Sequence, residues 1–138
     1  MDQGPLVIEQ IEAGARLVRD FHSYMAVEVA FWIKTAEGYR WTLCIASDQI
    51  NEKTWDLGYG EALRLIQEMN NPYLDLFRIR LVNSTSPLAR AALEERRKFP
   101  GSPVGIRLGE QWFGDTAIEG AYIYPESTIA EKEGVSAP

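Results

Sequence analysis

Two glutamates near the C-terminal end form the best candidate for acid–base chemistry. If the Gly-Asp pair at 114–115 makes a two-residue turn, the flanking segments form a hairpin in which Glu110 lies opposite Glu119. Carboxylates placed this way repel each other, so one pKa is expected to rise, and the pair could transfer protons or hold a cation. A bulge at one of the neighbouring glycines would separate them, and this is the arrangement we favour.

Arginines and aromatic residues indicate binding. Arginine outnumbers lysine ten to four, and its planar guanidinium suits carboxylates and phosphates. The arginines that could form a patch for an acidic partner are Arg78, Arg80, Arg96 and Arg97. Trp112 and Phe113 are expected at the tip of the last hairpin and Trp32 in an earlier hairpin, where aromatics can anchor a partner. Solvated helix faces and aromatics folded back onto the domain would explain the same residues without any partner.

The remaining reactive residues give little support to catalysis. His22 is the only histidine and Cys44 the only cysteine, so no familiar transition-metal cluster can be completed. The segment 58–60, Gly-Tyr-Gly, could bind an anion at a helix start, but Leu63 stands where a dinucleotide fingerprint needs its third glycine. We therefore predict no metal and no cofactor, and we expect a structural role for His22 and a packing role for Cys44.

Composition and charge bound the class of protein. The chain has 138 residues, 46% of them hydrophobic and 25% charged, as in a globular domain that buries its own core. The net charge is −6; residues 109–138 hold six acids against one lysine, and residues 78–107 hold seven bases against two acids. An acidic chain is a poor nucleic-acid binder overall. No stretch resembles a signal peptide or a bilayer span, so we expect a cytoplasmic protein with no membrane contact.

Hydrophobic periodicity predicts the order α-β-β-α-β-α-β-β. Helices are predicted over about 5–22 and 58–69 and from Pro87 onward, and strands over about 26–34, 39–47, 74–83, 104–112 and 116–124. This order predicts one α+β domain over 1–125, with a mainly antiparallel or mixed sheet of about five strands and three helices. The piece from 74 to 108 could be a parallel crossover. Residues 126–138 are expected to form a mobile polar tail.

The first hairpin offers two registers. A three-residue loop at 36–38 pairs Ile33 with Trp41, whereas a two-residue loop at 37–38 pairs Ile33 with Thr42. We choose the first, because it collects the apolar residues on one face and a one-residue slip would move them all to the other. The second face is less polar than a solvated face should be, so we expect a helix or another subunit to cover it.

These features predict a non-catalytic binding or protein-interaction domain. We expect it to form a homo-oligomer or to bind an acidic protein partner. The alternative is a small hydrolase or lyase that uses Glu110 and Glu119, and a minor alternative is nucleic-acid binding through residues 78–107. A deep pocket around the two carboxylates would favour the enzyme, and a flat apolar patch would favour the interaction domain.

Overall fold

A computed structural model describes residues 4–38 and 40–129 of the chain. The helices are α1 (Ile8–His22), α2 (Trp55–Met69) and α3 (Pro87–Arg97), with a 3₁₀ turn at Leu76–Arg78. The strands are β1 (Val29–Thr35), β2 (Thr42–Ser47), β3 (Ile79–Asn83), β4 (Ile106–Leu108), β5 (Gln111–Phe113) and β6 (Thr116–Ile123). The predicted α+β single domain is confirmed. Residues 130–138 of the predicted tail lie outside the described residues.

The strands form one mixed sheet in the order β3-β2-β1-β6-β4, and β5 also pairs with β6. The sheet has six strands rather than five because Gly109 and Glu110 interrupt the strand predicted over 104–112. Only β2 and β3 run parallel among the described pairs, and α2 connects them. The crossover proposed over 74–108 is therefore wrong, since β3 and β4 lie at opposite ends of the sheet.

Helices cover both faces of this sheet. α1 and α2 pack on one face and α3 on the other. Core residues on the α1–α2 side include Leu17, Val18, Phe21, Trp32, Leu43 and Ile45. Core residues on the α3 side include Phe31, Ile33, Cys44, Leu88, Phe113, Ile118 and Ile123. The less polar face of the first hairpin is thus covered by a helix of the same chain.

The predicted register of the first hairpin is wrong by one residue. Ile33 lies opposite Thr42, and Phe31 lies opposite Cys44. The prediction chose the register that collects the apolar residues of both strands on one face. Because both faces are buried, the alternation of apolar side chains does not distinguish one register from the other.

Two helix starts differ from the predictions. α1 begins at Ile8 rather than at residue 5, and the side chain of Gln10 accepts a hydrogen bond of 3.2 Å from the N–H of Val7 at this end. α2 begins at Trp55, so the Gly-Tyr-Gly segment at 58–60 lies inside the helix and cannot offer free N–H groups to an anion. The start of α3 is confirmed, with Ser86 as its N-cap and Pro87 first.

The strand predicted over 74–83 begins only at Ile79. Asp75 accepts a 3.0 Å hydrogen bond from the N–H of Phe77, and this local bond favours a 3₁₀ turn over an extended chain. Phe77, inside the range predicted as strand, is 87% exposed as a result. No helix in the described ranges is long and apolar enough to cross a membrane.

Candidate functional site

Trp32 and Arg78, two of the predicted binding residues, line the same cavity. This cavity, of about 140 Å³, lies between α1, the first hairpin and the loop before β3. We call it the indole–arginine cavity; its other lining residues are Gln10, Arg40, Trp41, Pro72, Tyr73 and Asp75. Its volume is that of about five molecules of liquid water, which suits a small metabolite.

The inner wall of the cavity is built from buried aromatic rings. Trp32 is 1% exposed and its Nε1–H donates to the hydroxyl of Tyr124 at 2.8 Å. Trp41 is 8% exposed and its Nε1–H donates to the carbonyl of Gly4 at 2.8 Å. Both indole N–H groups therefore have acceptors within the protein.

Tyr124 fixes this wall to helix α1. Its hydroxyl accepts from Trp32 and donates to the carbonyl of Ile11 at 2.6 Å, so one buried group joins β1, the end of β6 and α1. Burial raises the pKa of Tyr124, although the indole N–H acts in the opposite direction. Gly14 permits this approach, since an added Cβ would overlap the tyrosine hydroxyl and lie 3.0 Å from the indole of Trp32. The inner wall is therefore tied to α1 by two buried hydrogen bonds.

Arg78 is a half-buried charged residue of the cavity. Its backbone N–H donates to the carbonyl of Asp75 at 2.8 Å, which places it at the end of the 3₁₀ turn. Its Nε is buried and has no hydrogen-bond partner among the described residues. Buried polar groups in folded proteins are nearly always paired, so an unpaired guanidinium N–H needs a partner that the described residues do not provide.

Charged and aromatic side chains form the mouth of the cavity. Arg40 and Asp75 are exposed, and Tyr73 is half-exposed. Within the part of the chain that the structure describes, neither Arg40 nor Arg78 forms an ion pair with Asp75. Charges of both signs therefore line the cavity without neutralising each other.

Two larger depressions are not lined by a buried polar atom without a hydrogen-bond partner among the described residues. One of about 430 Å³ is open and mainly apolar, and it lies beside Trp55 and Leu81. The other, of about 330 Å³, lies beside Arg90 and Arg97 on α3. We therefore take the indole–arginine cavity as the candidate site.

The four arginines of the predicted patch are not brought together. Arg80 lies on β3 opposite Cys44, which is on the α3 side of the sheet, whereas Arg78 precedes the strand in the 3₁₀ turn. Arg96 lies 3.7 Å from the carboxylate of Glu126, and its burial lowers its pKa while Glu126 opposes that change. Arg97 lines the depression on α3.

The last hairpin has the register that places the two glutamates opposite each other, not the bulged arrangement that we favoured. Trp112 pairs with Ala117 and Leu108 with Ala121, which leaves positions 110 and 119 opposite each other. A bulge is present, but it lies between β6 and β1, where Glu119 is the extra residue. Both glutamates are exposed, and Glu119 lies 3.6 Å from the Nζ of buried Lys34. An acid–base role for the pair stays a prediction.

The other predicted residues divide between surface and core. Trp112 is 72% exposed, whereas Phe113 is 1% exposed and packs edge-on against Phe31 at 5.8 Å. The Nδ1 of His22 accepts a 2.9 Å hydrogen bond from the N–H of Val27, which gives this histidine a structural role. Cys44 is fully buried, and burial raises its pKa to about 12.

Sequence reasoning missed most of the lining residues: Gln10, Arg40, Trp41, Tyr73 and Asp75. They come from segments that are far apart in the chain, and no spacing rule joins such segments. One local sequence signal was available at Asp75. An aspartate commonly forms an Asx turn, in which its side chain accepts a hydrogen bond from the N–H two residues later. Recognising that turn at Asp75 would have separated Arg78 from the strand.

Across the ranges 4–38 and 40–129, no cluster of three or more His, Cys, Asp or Glu side chains could hold a metal ion.

Comparison with known proteins adds no assignment. No known protein family matches the chain. No curated protein and no solved structure is significantly similar to it. The chemistry of the cavity is therefore the basis for a functional proposal.

Proposed function

We propose that this chain is a non-catalytic binding domain whose ligand is a small anion held by Arg78 in the indole–arginine cavity. The observation that carries the proposal is the buried Nε of Arg78, which has no partner among the described residues. Leaving such a group unpaired costs about 1–3 kcal/mol, and more when it is charged. A carboxylate or phosphate oxygen would remove this cost, since guanidinium and oxyanion match in shape and charge.

The composition of the lining favours binding over catalysis. The described residues around the cavity include no thiol, imidazole or serine hydroxyl that could act as a nucleophile. The indole rings are held by hydrogen bonds of 2.8 Å each, so little conformational freedom is lost when a ligand enters. A preformed site of this kind supports affinity for a small ligand.

The test is a titration with sodium phosphate and sodium acetate at constant ionic strength. The indole N–H resonances of Trp32 and Trp41 report on the cavity in NMR spectra. We expect Arg78→Met to weaken anion binding roughly 10- to 100-fold, as for loss of a charge-assisted hydrogen bond. The matched control is Arg80→Met, which removes an exposed arginine two residues away and should bind as the wild type does.

Two results would contradict the proposal. One is anion binding that Arg78→Met leaves unchanged, and the other is a wild-type protein whose indole resonances respond to neither anion. Thermal unfolding of each variant shows whether a loss of binding reflects a loss of fold.

Self-association is a second candidate function, and the exposure of Trp112 favours it. This side chain is 72% exposed on β5, and a tryptophan in that position can bury a large apolar area against a second copy or another partner. Native mass spectrometry of the wild type and of Trp112→Ala tests this candidate. A dimer that dissociates in the variant supports it, and a monomeric wild type contradicts it.

A further inference from the structure

We infer that the ligand of the indole–arginine cavity is inorganic phosphate, a tetrahedral oxyanion that keeps a proton on one of its oxygens. This inference rests on the proposed function and specifies which anion the cavity selects. It follows from three properties of the lining: an excess of positive charge, an amide donor that no described residue uses, and a carboxylate oxygen that can accept from the ligand.

The charge of the lining favours an anion. Arg40 and Arg78 line the cavity with a single acid, Asp75, which gives two positive charges against one negative charge. Neither guanidinium forms an ion pair with a carboxylate of the described residues. A guanidinium donates through a planar fork that matches the oxygens of a phosphate. A cavity of about 140 Å³ has room for an ion of this size.

Gln10 adds a neutral donor to the two guanidinium groups. Its side chain is 6% exposed, and its Oε1 accepts the 3.2 Å hydrogen bond from the N–H of Val7. That bond orients the amide and leaves Nε2 as the donor, with no acceptor among the described residues. Because Gln10 lines the cavity, this donor is available to a ligand there. Donors on three side chains suit the several oxygens of a tetrahedral oxyanion better than the two oxygens of a carboxylate.

Asp75 is the residue that selects a protonated oxyanion. One of its carboxylate oxygens accepts from the N–H of Phe77 at 3.0 Å, and the other receives no hydrogen bond from a described residue. Beside an oxyanion without a proton, this carboxylate adds only repulsion, since both groups are acceptors. Hydrogen phosphate has an O–H that can donate to the second oxygen in a charge-assisted hydrogen bond. The cavity should therefore prefer phosphate to sulfate, which has the same shape and no proton.

Three doubly charged anions test whether the proton decides binding. At about pH 8, hydrogen phosphate, sulfate and methyl phosphate are all dianions, because the second pKa of a phosphate monoester is about 6. Only hydrogen phosphate keeps a proton. At constant ionic strength, we expect it to shift the indole resonances of Trp32 and Trp41 and to bind roughly tenfold more tightly than the other two. Trp55 and Trp112 lie outside the lining, so their resonances should not move.

A variant at Asp75 assigns the selectivity to this carboxylate. Asp75→Asn keeps an oxygen that can accept from the N–H of Phe77, and it replaces the second acceptor oxygen by an amide donor. It should tighten sulfate binding and bring the ratio of phosphate to sulfate affinity close to one. Asp115→Asn, at an exposed aspartate in the last hairpin, is the matched control and should keep the wild-type ratio.

A variant at Gln10 tests the neutral donor. Gln10→Glu keeps an oxygen that can accept from the N–H of Val7, and it replaces the donor by a negative charge. It should weaken phosphate and sulfate alike, by roughly tenfold or more. Gln67→Glu, at an exposed position of α2, is the matched control and should bind both anions as the wild type does. Thermal unfolding of each variant shows whether a loss of binding reflects a loss of fold.

The outcomes distinguish this inference from the proposed function. If sulfate or methyl phosphate binds as tightly as hydrogen phosphate, and Arg78→Met weakens all three, the phosphate inference is overturned while anion binding at Arg78 stands. The inference is also overturned if the folded wild type binds acetate and not phosphate. If phosphate, sulfate and acetate all leave the two indole resonances of the wild type unchanged, both ideas are wrong.

Discussion

Replacing Tyr124 by phenylalanine removes one hydroxyl from the group that joins α1 to the sheet. That hydroxyl accepts from the Nε1 of Trp32 at 2.8 Å and donates to the carbonyl of Ile11 at 2.6 Å. Phenylalanine keeps the ring and its packing, so the change tests the hydrogen bonds alone. We expect Tyr124→Phe to lower the free energy of unfolding and to loosen the inner wall of the cavity.

The size of the expected loss in unfolding free energy depends on the hydrogen bonds that each partner of the hydroxyl keeps in the variant. The carbonyl of Ile11 lies inside α1 and can still accept from the N–H four residues later. The indole N–H of Trp32 has no such alternative, because the side chain is 1% exposed and water cannot replace the hydroxyl. An unpaired buried donor costs about 1–3 kcal/mol. For a chain of 138 residues this corresponds to a fall in Tm of roughly 3–10 °C.

Urea and thermal unfolding of Tyr124→Phe and the wild type measure this loss directly. The matched control is Tyr24→Phe, because Tyr24 is 46% exposed and its hydroxyl can bond to water. Its stability should stay within about 0.5 kcal/mol of the wild type. If Tyr124→Phe is as stable as this control, the bridging hydroxyl does not stabilise the fold and the reasoning is refuted.

Three further predictions concern glycine, cysteine and pH. Gly14→Ala should lower the free energy of unfolding in urea by about 1–3 kcal/mol, since the added Cβ would lie 3.0 Å from Trp32. Gly60→Ala in α2, where an added Cβ meets nothing within 4 Å, should raise it by about 0.5–1 kcal/mol. Equal effects of the two substitutions would contradict the packing around Gly14. The thiol of Cys44, which is fully buried, should react with a disulfide reagent only in the unfolded protein, so rapid labelling of the native state would be inconsistent with its burial. The pKa of Cys44 rises from 9.0 to about 12 on folding, so its contribution to stability is complete below pH 9 and is lost between pH 9 and 12, at up to about 1.4 kcal/mol per pH unit. The fall in unfolding free energy with pH, measured by urea unfolding, should be smaller in Cys44→Ala than in the wild type. An unchanged pH dependence would argue against this contribution.

Several elements were predictable because their causes are local. Ser86 and Pro87 start α3, since a capping hydroxyl and a proline without an N–H satisfy the first turn of a helix. The two-residue turn of the last hairpin was also predictable, and Gly114 has a φ of +65° there, although the unbulged register was not the one we favoured. The predicted order of helices and strands indicated the α+β class for a similar reason. Hydrophobic periodicity and turn residues act over short segments of the chain.

Other features were not predictable because their causes lie in distant segments. The register of the first hairpin depends on helices that cover both faces of the sheet, and the apolar alternation alone did not reveal that α3 packs on one of them. The start of β3 at Ile79, after Arg78, depends on the turn at Asp75, and the alternation of residues over 74–83 concealed that turn.

The sequence by itself determined the fold class, the cap of α3, the last turn and the small number of groups able to carry out chemistry. Only the tertiary structure decided that Trp32 and Arg78 share a cavity, that Arg80 and Arg96 lie elsewhere, and that Trp112 remains exposed. The physical reason is that hydrogen-bonded turns and periodicity act between near neighbours in the chain. A cavity arises from how completed helices and strands pack, and that packing joins residues as distant as Gln10 and Arg78.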